Sequence, residues 1–295
     1  MAKLRVDLKP AIKRLEIITS GVVSAWAVGQ YKSVFRGKGA EFDGYRDYSL
    51  SDDSSLIDWK ASVRGHKLIV KEFIEERNLN IFFLVDVSAS MVFGSTHKLK
   101  NEYAAEIVGS LTHIILEAGD KIGMALFSDK IVKKFPPNNG RNQFYIVSKN
   151  LVDSGSYGGK YDLVEAIKFL IGFLKERAIV MIVSDFIGLK GDWQKYLKIA
   201  GHKYDLIGVM VRDPRDRVLP ADNTNVFVTD PYSNKQIVFN PVLLKDGYEK
   251  HVKMEEERIK KVFLNSNCDF INLSTDTPFE SAFVNFFTRR RRKAK

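Results

Sequence analysis

Ile81-Phe82-Phe83-Leu84-Val85 sets five bulky apolar residues in a row, and the run stops abruptly on Asp86-Val87-Ser88-Ala89-Ser90. It is too short for an independent helix, and its unbroken hydrophobicity suits a strand buried on both faces of a parallel sheet. From there the chain alternates in the β-α-β manner. Lys98 to Ala118 carries Tyr103, Ile107, Leu111, Ile114, Ile115 and Ala118 on one stripe, which predicts a helix with an apolar face. Ile122 to Phe127 reads as the next strand, with Lys130 to Phe135 beside it as a hairpin edge, and Gln143 to Leu151 as a helix. Asp162 to Arg177 is a helix with Leu163, Ile167, Leu170, Ile171 and Leu174 on one side. Ala178 to Val183 is a second buried strand, Trp193 to Ala200 a helix and Leu206 to Val211 a third buried strand. Val226 to Thr229 and Gln236 to Phe239 flank a turn as a β-hairpin, Tyr248 to Phe263 is a charged helix, Phe270 to Leu273 a last strand and Pro278 to Thr288 a closing helix. The fold class is therefore α/β, a mainly parallel sheet flanked by helices.

In such sheets ligands sit beyond the carboxyl ends of the strands, which puts Asp86, Ser88 and Ser90 in a loop at the functional edge. Carboxylate and hydroxyl oxygens at alternating positions suit a hard cation such as Mg2+ or Mn2+, although Ser and Asp also make turns and helix caps. The second buried strand ends in the same chemistry, Ser184-Asp185. Neighbouring parallel strands lie about 5 Å apart, so Asp86 and Asp185 are expected to face one cation, directly or through water.

Before the sheet the character differs. Residues 1–20 suggest a short helix or arm, with Leu8, Ile12, Leu15 and Ile18 at helical spacing, and Gly37-x-Gly39 suggests a turn. Between Phe42 and Arg64, aspartates 43, 47, 52, 53 and 58 alternate with Arg46, Lys60 and Arg64 around Tyr45, Tyr48 and Trp59. That mixture predicts a structural lock of charge-assisted hydrogen bonds pinned by buried rings. Leu68 to Phe73 reads as a strand, and Glu75 to Asn78 as a turn into the one at Ile81. The expected organisation is a small, β-rich or irregular amino-terminal region over 1–78 packed on the sheet, a sheet domain over 79–288 with a hairpin insertion at about 224–240, and a basic tail over 289–295.

Single residue types exclude several functions. Cys268 is the only cysteine and the five histidines are scattered, so neither an internal disulfide nor a zinc site is expected. No Gly-x-Ser-x-Gly elbow is present, and Ser88 stands where a haloacid-dehalogenase phosphatase needs its second aspartate, so no enzyme is expected. Forty-six Lys and Arg against 36 Asp and Glu give a net charge of +10, much of it in Arg289 to Lys295. That tail is expected to be frayed rather than to bind nucleic acid or acidic membrane, since no basic patch with stacking aromatics accompanies it. The longest uncharged stretch, Ile17 to Tyr31, has 15 residues, which is short of a membrane span, and the start does not resemble a secretion signal; a cytoplasmic location is expected.

Asp86-x-Ser88-x-Ser90, with Ser184-Asp185 about a hundred residues later, resembles the von Willebrand factor A domain with its metal-ion-dependent adhesion site. Gly37-x-Gly39-x-Glu41-Phe42, Tyr45-Arg46-Asp47-Tyr48, Asp52-Asp53, Ile57-Asp58-Trp59 and Val70-x-x-Phe73-x-x-Glu76-Arg77 resemble the signature of the family called domain of unknown function 58. The resemblance implies a Rossmann-like sheet whose edge holds Mg2+ or Mn2+ through Asp86, Ser88, Ser90, a threonine and Asp185, with a partner's carboxylate completing the shell. It also implies a non-enzymatic adaptor, working with a MoxR-type AAA+ ATPase in assembly or chaperone-like maturation. A divalent-metal-dependent hydrolase, or nucleic-acid or membrane binding through the tail, is the alternative. One departure stands out: Gly158-Gly159-Lys160-Tyr161-Asp162-Leu163 matches the family's Gly-Gly-x-Thr-Asp-Leu loop, with Tyr161 in the threonine's place. A phenol cannot take the same coordination position without moving the loop, and Lys160 adds a positive charge that weakens cation binding.

Overall fold

The computed structural model describes residues 13, 31, 41–49, 52–74, 79–221, 224–230, 232, 233 and 235–293 of the chain. The arm expected over 1–20, apart from Lys13, the Gly37-x-Gly39 turn and the turn over Glu75 to Asn78 lie outside them. Two compact units result, one made of residues 35–78 and one of residues 1–34 with 79–295.

In the smaller unit, β1 (Glu41–Asp47) pairs antiparallel with β2 (Ile69–Ile74), and α1 (Trp59–Gly65) lies between them in sequence. Asp58 caps α1 by accepting from the backbone N–H groups of Lys60 and Ala61, satisfying two donors that no earlier turn can reach. The charge lock exists, because the Arg46 guanidinium grips Asp52 with two bonds of 2.6 and 2.7 Å. The rings do not pin it, however: Tyr45 is 52% and Trp59 64% exposed. The sequence showed no strand over 41–47 because glycine and charged residues interrupt any alternation there.

The larger unit is built on a six-stranded sheet of order β10-β7-β6-β3-β4-β5. Its strands are β3 (Asn80–Asp86), β4 (Lys121–Phe127), β5 (Ile131–Asn138), β6 (Ile179–Ser184), β7 (Asp205–Arg212) and β10 (Asp269–Ser274). All neighbours are parallel except β4 and β5, the expected hairpin edge. The crossover and flanking segments are α2 (Lys100–Glu117), α3 (Arg141–Leu151), α4 (Leu163–Phe173), α5 (Trp193–Lys203), the hairpin β8 (Val226–Thr229) with β9 (Gln236–Phe239), α6 (Pro241–Asn265) and α7 (Glu280–Lys293).

Side chains alternate along a strand, so Phe82, Leu84, Val180 and Ile182 share one face, where they pack with Ile167 and Leu170 of α4, Leu197 of α5 and Phe263 of α6. On the other face α2 contacts β4 and β7 and packs on α3. Covering both faces is what makes continuous apolar strands stable.

Two helix ends differ from expectation for local reasons. Asn240 caps α6 through Val242 N–H, and Pro241 takes the first helical position, so the helix starts before Tyr248. The basic tail is not frayed throughout, since α7 runs on to Lys293 and Arg290 pairs with Asp205 and Asp269. Among the described residues, no helix is long and apolar enough to cross a membrane.

Candidate functional site

β3 and β6 pair in parallel with Val85 opposite Val183, so Asp86 and Ser184 come next side by side. The Ser184 hydroxyl donates to Asp86 Oδ2 at 2.6 Å, and Ser88 N–H donates to Asp86 Oδ1 at 2.8 Å in a tight turn. That turn brings the Ser88 and Ser90 hydroxyls to 3.2 Å from each other. The Gly-Gly loop closes over it: Gly158 N–H donates to Val87 O at 2.7 Å, and Ala89 N–H donates to Gly159 O at 3.1 Å. Gly158 and Gly159 have φ of +132° and +83°, conformations that glycine adopts without the steric cost other residues meet.

Asp185 is next on the same edge. Its Oδ1 accepts from Ile187 N–H at 2.9 Å, and its Oδ2 accepts from the Lys100 ammonium at 2.8 Å. The same ammonium donates to Asp216 Oδ2 at 2.9 Å, just beyond β7. Lys100 is 1% exposed, while Asp86, Ser88, Ser184 and Asp185 are fully buried.

Burial pushes the Asp86 carboxyl well above the carboxylate range, and the charge of Asp185 adds to that; hydrogen bonds from Ser184 and Ser88 only partly oppose it. Burial alone would pull the Lys100 ammonium down, but Asp185 and Asp216 outweigh it and hold it above the ordinary lysine value. Three phenols surround the floor. Tyr157 donates to Leu151 O at 2.8 Å, and burial with the Asp86 charge raises it. Tyr232, in the turn between β8 and β9, donates to Ile187 O at 3.3 Å; burial pushes it up to about 12, opposed by the Ser90 hydroxyl. Tyr161 packs its ring on Phe127 at 5.8 Å, and its buried hydroxyl has no hydrogen-bond partner among the described residues.

Asp86, Ser88, Ser90 and Asp185 are thus brought to one place, and Tyr161 joins them through the Gly-Gly loop. Their fit to a hard cation is partial. Neighbouring oxygens in a Mg2+ octahedron stand about 3.0 Å apart, and the two serines meet that spacing. Asp185 already carries an ammonium, and burial raises the phenol of Tyr161, which lies close enough to the site for the Asp86 charge to add to that and the Ser184 hydroxyl to oppose it. Among the described residues no group of three or more His, Cys, Asp or Glu side chains is placed to hold a metal ion.

Sequence reasoning missed Lys100, Asp216 and Tyr232. For Lys100 a signal existed: it lies three residues before Tyr103 and seven before Ile107, on the buried stripe of α2 where an apolar residue belongs. Asp216 closes the short 3-10 turn Pro214–Asp216 and Tyr232 lies in the turn between β8 and β9, where no hydrophobic periodicity marks either.

The mycobacterial protein Rv1480 of Mycobacterium tuberculosis (strain ATCC 25618 / H37Rv) is 24% identical over 291 residues, 97% of this chain and 91% of its own. YeaD of Bacillus subtilis (strain 168) is 30% identical over 106 residues, 36% of this chain and 24% of that one. Among solved structures, the conserved hypothetical protein BatB from Bacteroides thetaiotaomicron aligns at 15% identity with a TM-score of 0.47, covering 73% of this chain and 99% of that chain. The family model described as protein of unknown function DUF58 matches residues 44–258, most of the chain, and the chain therefore belongs to the DUF58 family.

Proposed function

We propose that this chain is a non-enzymatic protein-binding module that meets its partner with the loops at the carboxyl edge of its sheet, in the manner of a von Willebrand factor A domain. The observation that carries this reading is the convergence of Asp86, Ser88, Ser90 and Asp185 beneath one edge. Among the described residues no histidine or lysine is hydrogen-bonded to Ser88 or Ser90, whose hydroxyls instead meet each other at 3.2 Å above the buried Asp86 carboxyl. Over this polar floor the loops present exposed groups: Val92 and Phe93 directly after the serine turn, and Lys160 in the Gly-Gly loop. An exposed aromatic anchor and an exposed cation on the loops of one edge suit a partner segment with an acidic residue.

The resemblance to relatives linked with MoxR-type AAA+ ATPases makes such an ATPase the first partner to test. In a metal-bearing form of the reading, Ser88 and Ser90 would hold Mg2+ or Mn2+ and the partner's carboxylate would complete the shell; the 3.2 Å serine spacing supports that form.

The test is an affinity measurement between the purified chain and the MoxR-type ATPase of the same genome, with and without chelator. Binding is expected, at least tenfold weaker for Phe93→Ala and for Lys160→Glu. No binding, or equal affinity in both variants, would remove the reading.

A further inference from the structure

We propose that the Lys100 ammonium is the resident cation of this edge, standing in for the positive charge that a divalent metal would otherwise bring, so that the site is complete without metal. The position of Lys100 argues for a specific role. It opens α2, where the helix dipole disfavours a cation, and it is 1% exposed, where an unpaired ammonium would not survive. Both penalties are met by two carboxylates from different strand ends, Asp185 after β6 at 2.8 Å and Asp216 after β7 at 2.9 Å. The Phe93 ring lies 5.5 Å from the same ammonium, a favourable cation–π distance.

The bond network around the ammonium is closed. Asp216 Oδ2 also accepts from Asp213 N–H, and Asp213 holds Ser95 through both its backbone and its hydroxyl. Lys100 therefore ties together the ends of β6 and β7 and the loop after the serine turn, as a bridging ion does. Asp185 is the carboxylate that a divalent ion needs and the one that Lys100 takes. A second cation there would meet a like charge and a carboxylate already neutralised.

The assignment rests on the site described under the proposed function and excludes the metal-bearing form of that reading, but it does not depend on which partner binds. It is tested by calorimetric titration with Mg2+ and Mn2+ and by thermal unfolding with and without them. Wild type is expected to show no heat and no shift in midpoint. Lys100→Ala is expected to unfold at a lower temperature, and to show both a binding heat and an upward shift in midpoint with Mn2+. Metal binding by wild type overturns the proposal, as does a folded Lys100→Ala that ignores Mn2+. If Lys100→Ala does not fold with or without Mn2+, Lys100→Ala combined with Asp185→Asn decides. Recovery of a folded, metal-indifferent protein supports charge compensation, and continued unfolding overturns it. Should wild type ignore metal and also fail to bind the ATPase, only the partner reading falls.

Discussion

Gly208 lies in the middle of β7, and a Cβ built on it would stand 2.5 Å from Cε1 of Phe263, with two more atoms of that ring at 2.9 Å. The ring cannot easily give way. It is fully buried, 5.4 Å from Phe186 edge-on and 5.1 Å from Phe270. Gly208→Ala therefore overpacks the core, at a cost of about 1–3 kcal/mol. The lost backbone freedom of the unfolded chain returns about 0.4–1 kcal/mol. Central values of about 2 and about 0.7 kcal/mol leave a net destabilisation of about 1.3 kcal/mol, which at roughly 2–4 °C per kcal/mol lowers the thermal midpoint by roughly 3–5 °C. Urea unfolding should show a lower midpoint at an unchanged slope, because the exposed surface hardly differs. Adding Phe263→Leu should restore part of the loss, since the two changes share one space. A midpoint equal to or above wild type, or no coupling between the two substitutions, would refute the reasoning. Phe186 directly succeeds Asp185 and has a φ of +54°, so displacement of Phe263 also bears on the edge.

Tyr161→Phe keeps the ring on Phe127 and removes a buried hydroxyl that has no partner among the described residues, so chemical denaturation should show a gain of about 1 kcal/mol; a loss would mean that the hydroxyl is held. Asp213 combines a burial penalty with stronger hydrogen bonds from Ser95, Arg215 and Thr275, which hold its carboxyl below the ordinary range. Its folded pKa is below its unfolded one, so its stabilisation is present above about pH 4 and lost as pH falls through the folded value. Stability measured from neutral pH downward should show that acid loss in wild type and less of it in Asp213→Asn.

The larger unit was legible because each central strand is an unbroken apolar run closed by polar residues. Ile81 to Val85 and Ala178 to Val183 announce both their burial and the edge at which their acids emerge. Amphipathic spacing found α2 and α4 for the same reason, since a helix in contact with a sheet must keep its apolar positions on one side. The smaller unit was harder to read. In β1, glycine and charge break the alternation, and antiparallel pairing with β2 forms the strand regardless of local preference. Tyr45 and Trp59 were expected inside because they are aromatic, yet a unit this small leaves large rings at its surface.

The sequence alone determined that two interior strands end in acid and hydroxyl groups, and that Asp86, Ser88, Ser90 and Asp185 belong to one edge. Periodicity is a local property, carried by consecutive residues, and it survives without knowledge of the neighbours. Only the tertiary structure decided what neutralises those acids. Lys100 reaches Asp185 across 85 positions and Asp216 across 116, and no spacing along the chain encodes either meeting. The charge state of a buried group is set by whatever packing brings within a few ångströms of it, so the ammonium at this edge owes its place to α2 docking on the sheet.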